Sequence, residues 1–191
     1  MTKYDVFDFD KTLYIHDSTV MFYLYCLKKY PRLFKYLPKE SIEFIKFRLK
    51  IIPKKTFKEG FFKFVDLIDD IDKEVEEFWK INKSKIRTNL IEKNGNKKVV
   101  ISASPEFLLK GICKEIGIDY LIATNIDKHT GKFTGNNCYG EEKVVRFYEK
   151  FGNIEPASFY SDSLSDTPMA EISKKSYLIK NDKVLDWPKR W

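Results

Sequence analysis

The spacing of apolar and polar residues changes its rule twice along the chain. Tyr4 to Phe9 is short, aromatic and β-branched, as expected of a strand buried on both faces, and it ends among the carboxylates Asp8 and Asp10. From Leu13 to about Asn94 the spacing is helical. Ser18 or Thr19 can cap a helix carrying Met21, Leu24 and Leu27, and a second helix is expected over Ser41–Ile52, stopped by Pro53. Thr56 to Glu59 reads as a capping box ahead of Phe61, Phe62, Phe64, Val65 and Ile68. Asp72 opens a helix over Lys73–Ile81, and another is expected over Lys85–Lys93, ended by Asn94 and Gly95.

From Lys98 onward, short strands and helices alternate. Strands are predicted at Val99–Ala103, Tyr120–Thr124, Ala157–Ser161 and Tyr177–Lys180, with a small hairpin over Asp127–Thr134. Helices are predicted from Ser104–Pro105 to Ile116, over Glu141–Phe151 and over Thr167–Ser173; Trp187 to Trp191 reads as a tail that packs back on the body. This alternation predicts an α/β fold: a doubly wound, Rossmann-like parallel sheet. The helical block after the first strand is too long for a crossover and reads as an inserted all-helical cap, dividing the chain into a core of 1–13 and 96–191 and an insert of 14–95.

Composition and charge sharpen this picture. The chain has 191 residues, 43% of them hydrophobic, which suits one folded core and argues against general disorder. The longest apolar run, Val20 to Leu27, is too short to cross a bilayer, and no leader is visible, so the cytoplasm is the expected compartment. Cys26, Cys113 and Cys138 are widely spaced and suit reduced thiols; with His16 and His129 they form no zinc spacing, so any metal should be hard and held by oxygen. Of the net charge of +7, the excess sits in residues 28–63, where twelve Lys or Arg face three Glu. Such a run is a solvated face or a surface for an anionic partner.

Four polar clusters fall at matching places in the alternation. Asp8 and Asp10 end the first strand, Ser102 and Ser104 the second; Lys143 opens a helix, and Asp162 and Asp166 follow the fourth strand. In a doubly wound sheet these places converge on one edge. Asp8-Phe9-Asp10-Lys11-Thr12-Leu13, Ser102-Ala103-Ser104, Gly140-Glu141-Glu142-Lys143 and Ser161-Asp162 through Pro168 resemble the four motifs of the haloacid dehalogenase superfamily of phosphatases. The insert's position and the run from Thr134 to Gly140 resemble its phosphoserine-phosphatase-like branch.

That resemblance implies a Mg²⁺-dependent phosphomonoester hydrolase. Chemistry supplies its own reason for these residue types: a carboxylate nucleophile splits one hard displacement at phosphorus into two easier ones. Asp8 is then the nucleophile and Asp10 the acid and base, with Lys143 offsetting charge; Thr12 steadies the loop, and Ser102, Ala103 and Ser104 meet the phosphoryl group. Asp8, Asp162 and the Asp10 backbone carbonyl are the implied Mg²⁺ holders, with Asp166 orienting a metal-bound water or Lys143.

Substrate choice belongs to the insert, acting as a lid. Asp17 stands where phosphoserine-specific relatives carry a glutamate that reads an amine; its other reading is a helix-entry cap. Ser102-Ala103-Ser104-Pro105 replaces their usual Ser-Gly-Gly. The expected substrate is a small phosphorylated metabolite such as phosphoserine. Should aromatics such as Tyr30, Phe34, Tyr36, Phe47 and Phe57 be exposed among the lysines, the insert could instead rest on an anionic membrane and admit a phospholipid headgroup phosphate of the phosphatidylglycerophosphate type. A phospho-accepting receiver module and a nucleic-acid-binding protein are the non-enzymatic alternatives; the first needs neither Asp10 nor a large lid, and the second lacks a recognition motif. The oligomeric state is not legible in the chain.

Overall fold

A computed structural model describes residues 2–36, 42, 46, 48–51, 60–91 and 94–188. One sheet contains β1 (Tyr4–Phe7), β2 (Lys97–Pro105), β3 (Tyr120–Thr124), β4 (Ser158–Ser161), β5 (Ser176–Lys180) and β6 (Lys183–Asp186), in the order β3-β2-β1-β4-β5-β6. All pairs are parallel except β5 with β6. The order reverses at β1, so the crevice at the carboxyl end of β1 is where such a sheet receives a ligand.

Alternation along the strands builds two cores. Phe7, Phe9 and Val100 face one side, where they join α1 (Ser18–Lys29), α2 (Ile71–Asn82) and α3 (Glu106–Glu115) through Phe22, Phe78 and Leu109. Tyr4, Val6, Val99, Ile101 and Phe159 face the other, against Phe147 of α4 (Glu141–Phe151) and Met169 of α5 (Thr167–Glu171). Strands with apolar side chains on both faces need helices on both, which is the doubly wound arrangement. Trp79 of α2 donates its indole N–H to the Leu108 carbonyl at 2.6 Å, and Phe78 meets Phe22 edge-on at 5.5 Å, so α2 ties α1 to α3.

Several local expectations are corrected. β1 stops at Phe7, yet Asp8 is held to the sheet by its N–H on the Tyr160 carbonyl at 2.8 Å. α1 is capped by Asp17, whose Oδ1 accepts the Val20 N–H at 3.0 Å, and it buries Phe22, Tyr23, Cys26 and Leu27 while Leu24 is exposed. α2 is capped by Asp70, not opened by Asp72. Of the helix expected over Lys85–Lys93, the described residues 85–91 form no α-helix: Lys83–Lys85 and Thr88–Leu90 are short 3₁₀ turns. There Ile86 is bridged to Tyr14 and Arg87 N–H donates to the Leu13 carbonyl at 2.7 Å, so pairing with the segment leaving β1 overrides helix propensity. α3 starts at Glu106 without a side-chain cap, because Ser104 is used elsewhere. Residues 127–134 close as a turn with one antiparallel bridge, Ile126 to Phe133.

β6 was not anticipated. Its signal is Asn181-Asp182, both at positive φ, a two-residue turn that folds the chain back on β5. The Thr56–Glu59 box and most of the Ser41–Ile52 helix lie outside the described residues; of the latter, Ile42, Lys46 and Arg48 are helical.

Candidate active site

A cleft of about 510 Å³ opens at the carboxyl end of β1, lined by Asp8, Asp10, Ser102, Ala103, Ser104, Lys143, Asp162 and Asp166, along with Asp17 and others. Every residue singled out for chemistry in the chain therefore lines it except Thr12, which is buried directly beneath. Lys143 reaches it because Gly140, at φ +59, starts α4 and puts the lysine in the first turn. Its ammonium is 2% exposed and donates to Asp8 Oδ1 and Asp166 Oδ2, both at 2.7 Å. Ser161 holds the same Asp166 oxygen at 2.7 Å. One cation thus stands between two carboxylates.

Burial sets the proton affinities. It pushes the Asp8 carboxyl up to about 7, against the lowering charge of Lys143. Burial would strip Lys143 of its proton, but Asp8 and Asp166 outweigh it and raise the lysine above its ordinary range. Asp10 is pushed up to about 6 by burial and then by the charge of Asp17. Asp10 lies two residues from Asp8 but turns to different partners: Oδ1 accepts the Ser18 N–H at 2.8 Å, and Oδ2 accepts the Ser104 hydroxyl.

Thr12 links the two ends of the site. Its hydroxyl accepts the Asp162 N–H at 2.9 Å and donates to Asp8 Oδ2 at 3.4 Å. Asp162 itself is raised by burial and lowered by the charge of Lys11, a residue held at φ +59 in the turn after β1. Among the described residues no three His, Cys, Asp or Glu side chains gather around one point, so there is no all-carboxylate cage. The donors fit Mg²⁺ nonetheless. It keeps waters and phosphate oxygens and takes few carboxylates, and the cleft offers oxygen donors alone, with one Asp8 oxygen committed to Lys143 and the other bearing only a long hydrogen bond. Buried carboxylates that outnumber the nearby cations are the charge imbalance a small dication offsets.

The side of the cleft away from these groups belongs to the insert. Thr19, Val20, Phe61 and Phe62 line it, and Tyr139, outside the insert, is also in the lining. Phe61 packs on Tyr23 at 4.8 Å. The Phe62 carbonyl lies where a Cβ on Gly131 would sit, at 2.3 Å, so only glycine lets the 127–133 turn close against this wall. Asp17 is both the α1 cap and a lining residue.

Arg87 escaped the reading of the chain. Its guanidinium donates to the Lys11 and Thr12 carbonyls at 2.9 and 2.7 Å and pairs with Asp182 in the β5–β6 turn. No motif marks it, since its partners are backbone atoms 75 and 76 positions away. Ser161, which opens the last of the four polar motifs, donates its hydroxyl to Asp166, a role that no sequence pattern marks.

Protein CicA of Caulobacter vibrioides is 35% identical over 92 residues, 44% of this chain and 41% of that one. A Mycobacterium tuberculosis protein described as a probable phosphatase is 33% identical over 98 residues, 48% of this chain and 34% of that one. The matches thus span less than half the length of these relatives. Among solved structures, a Bordetella pertussis protein of unknown function superposes with a TM-score of 0.75 at 20% identity, covering 92% of this chain and 89% of that one. A phosphoserine phosphatase in its apo form gives 0.55 at 20% identity, covering 92% and 85%. At such identity the likeness is one of fold. The haloacid dehalogenase-like hydrolase family matches residues 6–171, which takes in all four polar clusters and the cleft they line, and the chain belongs to that family.

Proposed function

We propose that the protein hydrolyses small phosphate monoesters through an aspartyl-phosphate on Asp8. One observation carries the reading: Asp8, braced by Lys143, and Asp10, two residues on with a raised proton affinity, line one cleft at the point where strand order reverses. Asp8 Oδ2 attacks phosphorus, the bond to the alcohol oxygen breaks, and Asp10 gives that oxygen its proton. Asp10 then takes a proton from water as the water attacks phosphorus, returning Asp8 and releasing inorganic phosphate. A carboxyl near 6 can hold and release a proton at neutral pH, as both half-reactions require. Lys143 and Ser102 are the donors for the phosphoryl oxygens. Mg²⁺, held by Asp8, Asp162 and the Asp10 carbonyl, would supply further positive charge against those oxygens.

Residues 14–95 act as the lid in this reading. The alcohol part of the substrate lies against Val20, Phe61 and Tyr139 with Asp17 beside it, which suits a compact group; phosphoserine is one candidate, with Asp17 meeting its amine. The test uses 4-nitrophenyl phosphate with and without chelator. Asp8→Asn should lower turnover about 10³-fold or more, and Mg²⁺ should raise the melting temperature of the parent protein but not of Asp162→Ala. Turnover that survives Asp8→Asn overturns the mechanism. A lasting phosphoprotein without turnover would favour a phospho-accepting module.

A second reading has its own support. Phe34, Ile42, Leu49 and Ile51 are exposed within the basic 28–63 segment. Tyr30, by contrast, is half-buried on Glu74, and Phe47 and Phe57 lie outside the described residues. Exposed apolar side chains among lysines suit an anionic membrane surface and a lipid headgroup phosphate. No helix among the described residues is long and apolar enough to cross a membrane. Cosedimentation with anionic vesicles at low salt tests the reading; protein that stays in the supernatant removes it.

A further inference from the structure

The second polar cluster ends in Ser104, a hydroxyl where the phosphoserine-specific pattern has glycine, and its position suggests a phosphate ligand. The geometry assigns it otherwise. Ser104 is buried at the end of β2, with its N–H on Ser102 Oγ at 3.1 Å, and its hydroxyl donates to Asp10 Oδ2. A hydroxyl has one hydrogen and two lone pairs. With that hydrogen on Asp10, the contacts of Ser104 Oγ to Thr19 Oγ1 at 2.9 Å and Ser18 Oγ at 3.3 Å are ones in which it accepts. The hydrogens therefore run one way, from the first turn of α1 through Ser104 to Asp10. Ser18 N–H, from the same turn, holds the other Asp10 oxygen at 2.8 Å. Successive donors polarise one another, and when Asp10 is ionised the last bond is made to a charged acceptor, so its geometry is held strongly.

We infer that Ser104 is a positioning residue for Asp10, joining the sheet to helix α1 through Thr19 and Ser18, and that it does not ligate the phosphoryl group. The inference rests on the phosphatase reading above. An acid matters in proportion to how badly the departing oxygen needs a proton: an alkoxide needs one, whereas 4-nitrophenolate leaves without it. The second half-reaction, in which Asp10 acts as base, is common to all esters. The leaving-group effect is therefore read in kcat/KM, which reports the steps through release of the alcohol: misplacing Asp10 should lower it on alkyl esters and hardly at all on nitrophenyl esters.

The experiment compares the parent protein with Ser104→Ala, Ser104→Thr, Thr19→Val and Ser102→Ala on 4-nitrophenyl, phenyl and simple alkyl phosphates, reading kcat and KM separately. Inorganic phosphate affinity is measured by calorimetry, and folding is checked by thermal unfolding. Ser104→Ala should lower kcat/KM on alkyl phosphate about 10- to 100-fold, change kcat/KM on 4-nitrophenyl phosphate less than about threefold, and leave phosphate affinity within about twofold. Ser104→Thr, which keeps the hydroxyl, should recover most of the alkyl activity, and Thr19→Val should show a weaker form of the Ser104→Ala pattern. Ser102→Ala should instead weaken phosphate binding. A Ser104→Ala loss in kcat/KM that is equal across the esters, or a weakened phosphate affinity with kcat preserved, overturns the positioning role and makes Ser104 a phosphate ligand. Should Ser104→Ala fail to fold, Thr19→Val decides on the same ester pattern, and a uniform loss there overturns the inference. No Asp8-dependent turnover of any ester in the parent protein would overturn the phosphatase reading, and this inference with it; Asp8-dependent turnover without the leaving-group pattern overturns this inference alone.

Discussion

Lys143 carries the heaviest electrostatic duty of any side chain here: an ammonium withdrawn from water and held by Asp8 and Asp166. Removing one partner of a buried charge cluster costs about 3–5 kcal/mol, because the remaining charges stay buried without an opposite. Lys143→Met should therefore lower stability by about that amount and abolish phosphate binding, as read by thermal unfolding and calorimetry. Unchanged stability would mean the two carboxylates hold protons in its place. At this scale the chain was well legible. Asp8, Asp10, Ser102, Lys143, Asp162 and Asp166 could be chosen because they recur together, in order, at matching strand ends and helix starts, although each alone could be a cap or a solvated turn residue. The direction each side chain takes was not legible: Ser104 and Asp10 face each other only once β2 and the turn after β1 stand side by side.

Elements position the site through backbone atoms, and there sequence is mute. The turn after β1, with Lys11 at positive φ, is braced by Arg87, near the end of the insert, and by Asp182, in the β5–β6 turn. Arg87→Ala leaves two carbonyls and should cost about 1–3 kcal/mol with about a tenfold loss in kcat. Asp182→Ala should cost under about 1 kcal/mol, since that carboxylate is 78% exposed and Arg87 keeps its bonds to the loop. Equal effects from both would place the brace in the ion pair instead of the carbonyls. The helices of the insert show what pattern can and cannot supply. The apolar spacing located α1 and α2, but their caps shifted by one or two residues to Asp17 and Asp70, since neighbouring Ser, Thr and Asp residues compete for the same amide. Residues 85–91 form no α-helix because pairing to Leu13 and Tyr14 offers their backbone a better partner.

Across the molecule, the end of the sheet opposite the cleft is closed by polar contacts of its own. Asp5 is 4% exposed; burial alone would raise its carboxyl. Lys98 at 2.6 Å, Asn94 at 2.9 Å, Asn96 at 3.0 Å and Ser158 at 2.8 Å overcome burial and hold it below its usual 3.8. A carboxyl lowered on folding stabilises fully above its unfolded value and loses that contribution as pH falls through the folded one. Asp5→Asn should therefore melt about 6–12 °C lower at neutral pH, with Lys98 left without its charge partner. The gap should close as pH drops below the usual carboxylate range, and a gap that does not depend on pH would show that shape, not charge, is at stake.

Period alone determined the class of fold, and residue type with place in the alternation picked out the side chains that line the cleft, because strand and helix repeats and strand-end carboxylates are local properties of a chain. Only the tertiary structure decided strand order, the antiparallel β6, the direction of the Ser104 hydroxyl and the reach of Arg87 to the turn after β1. Each of these is a contact between residues far apart in sequence, and its energy depends on which surfaces packing brings together.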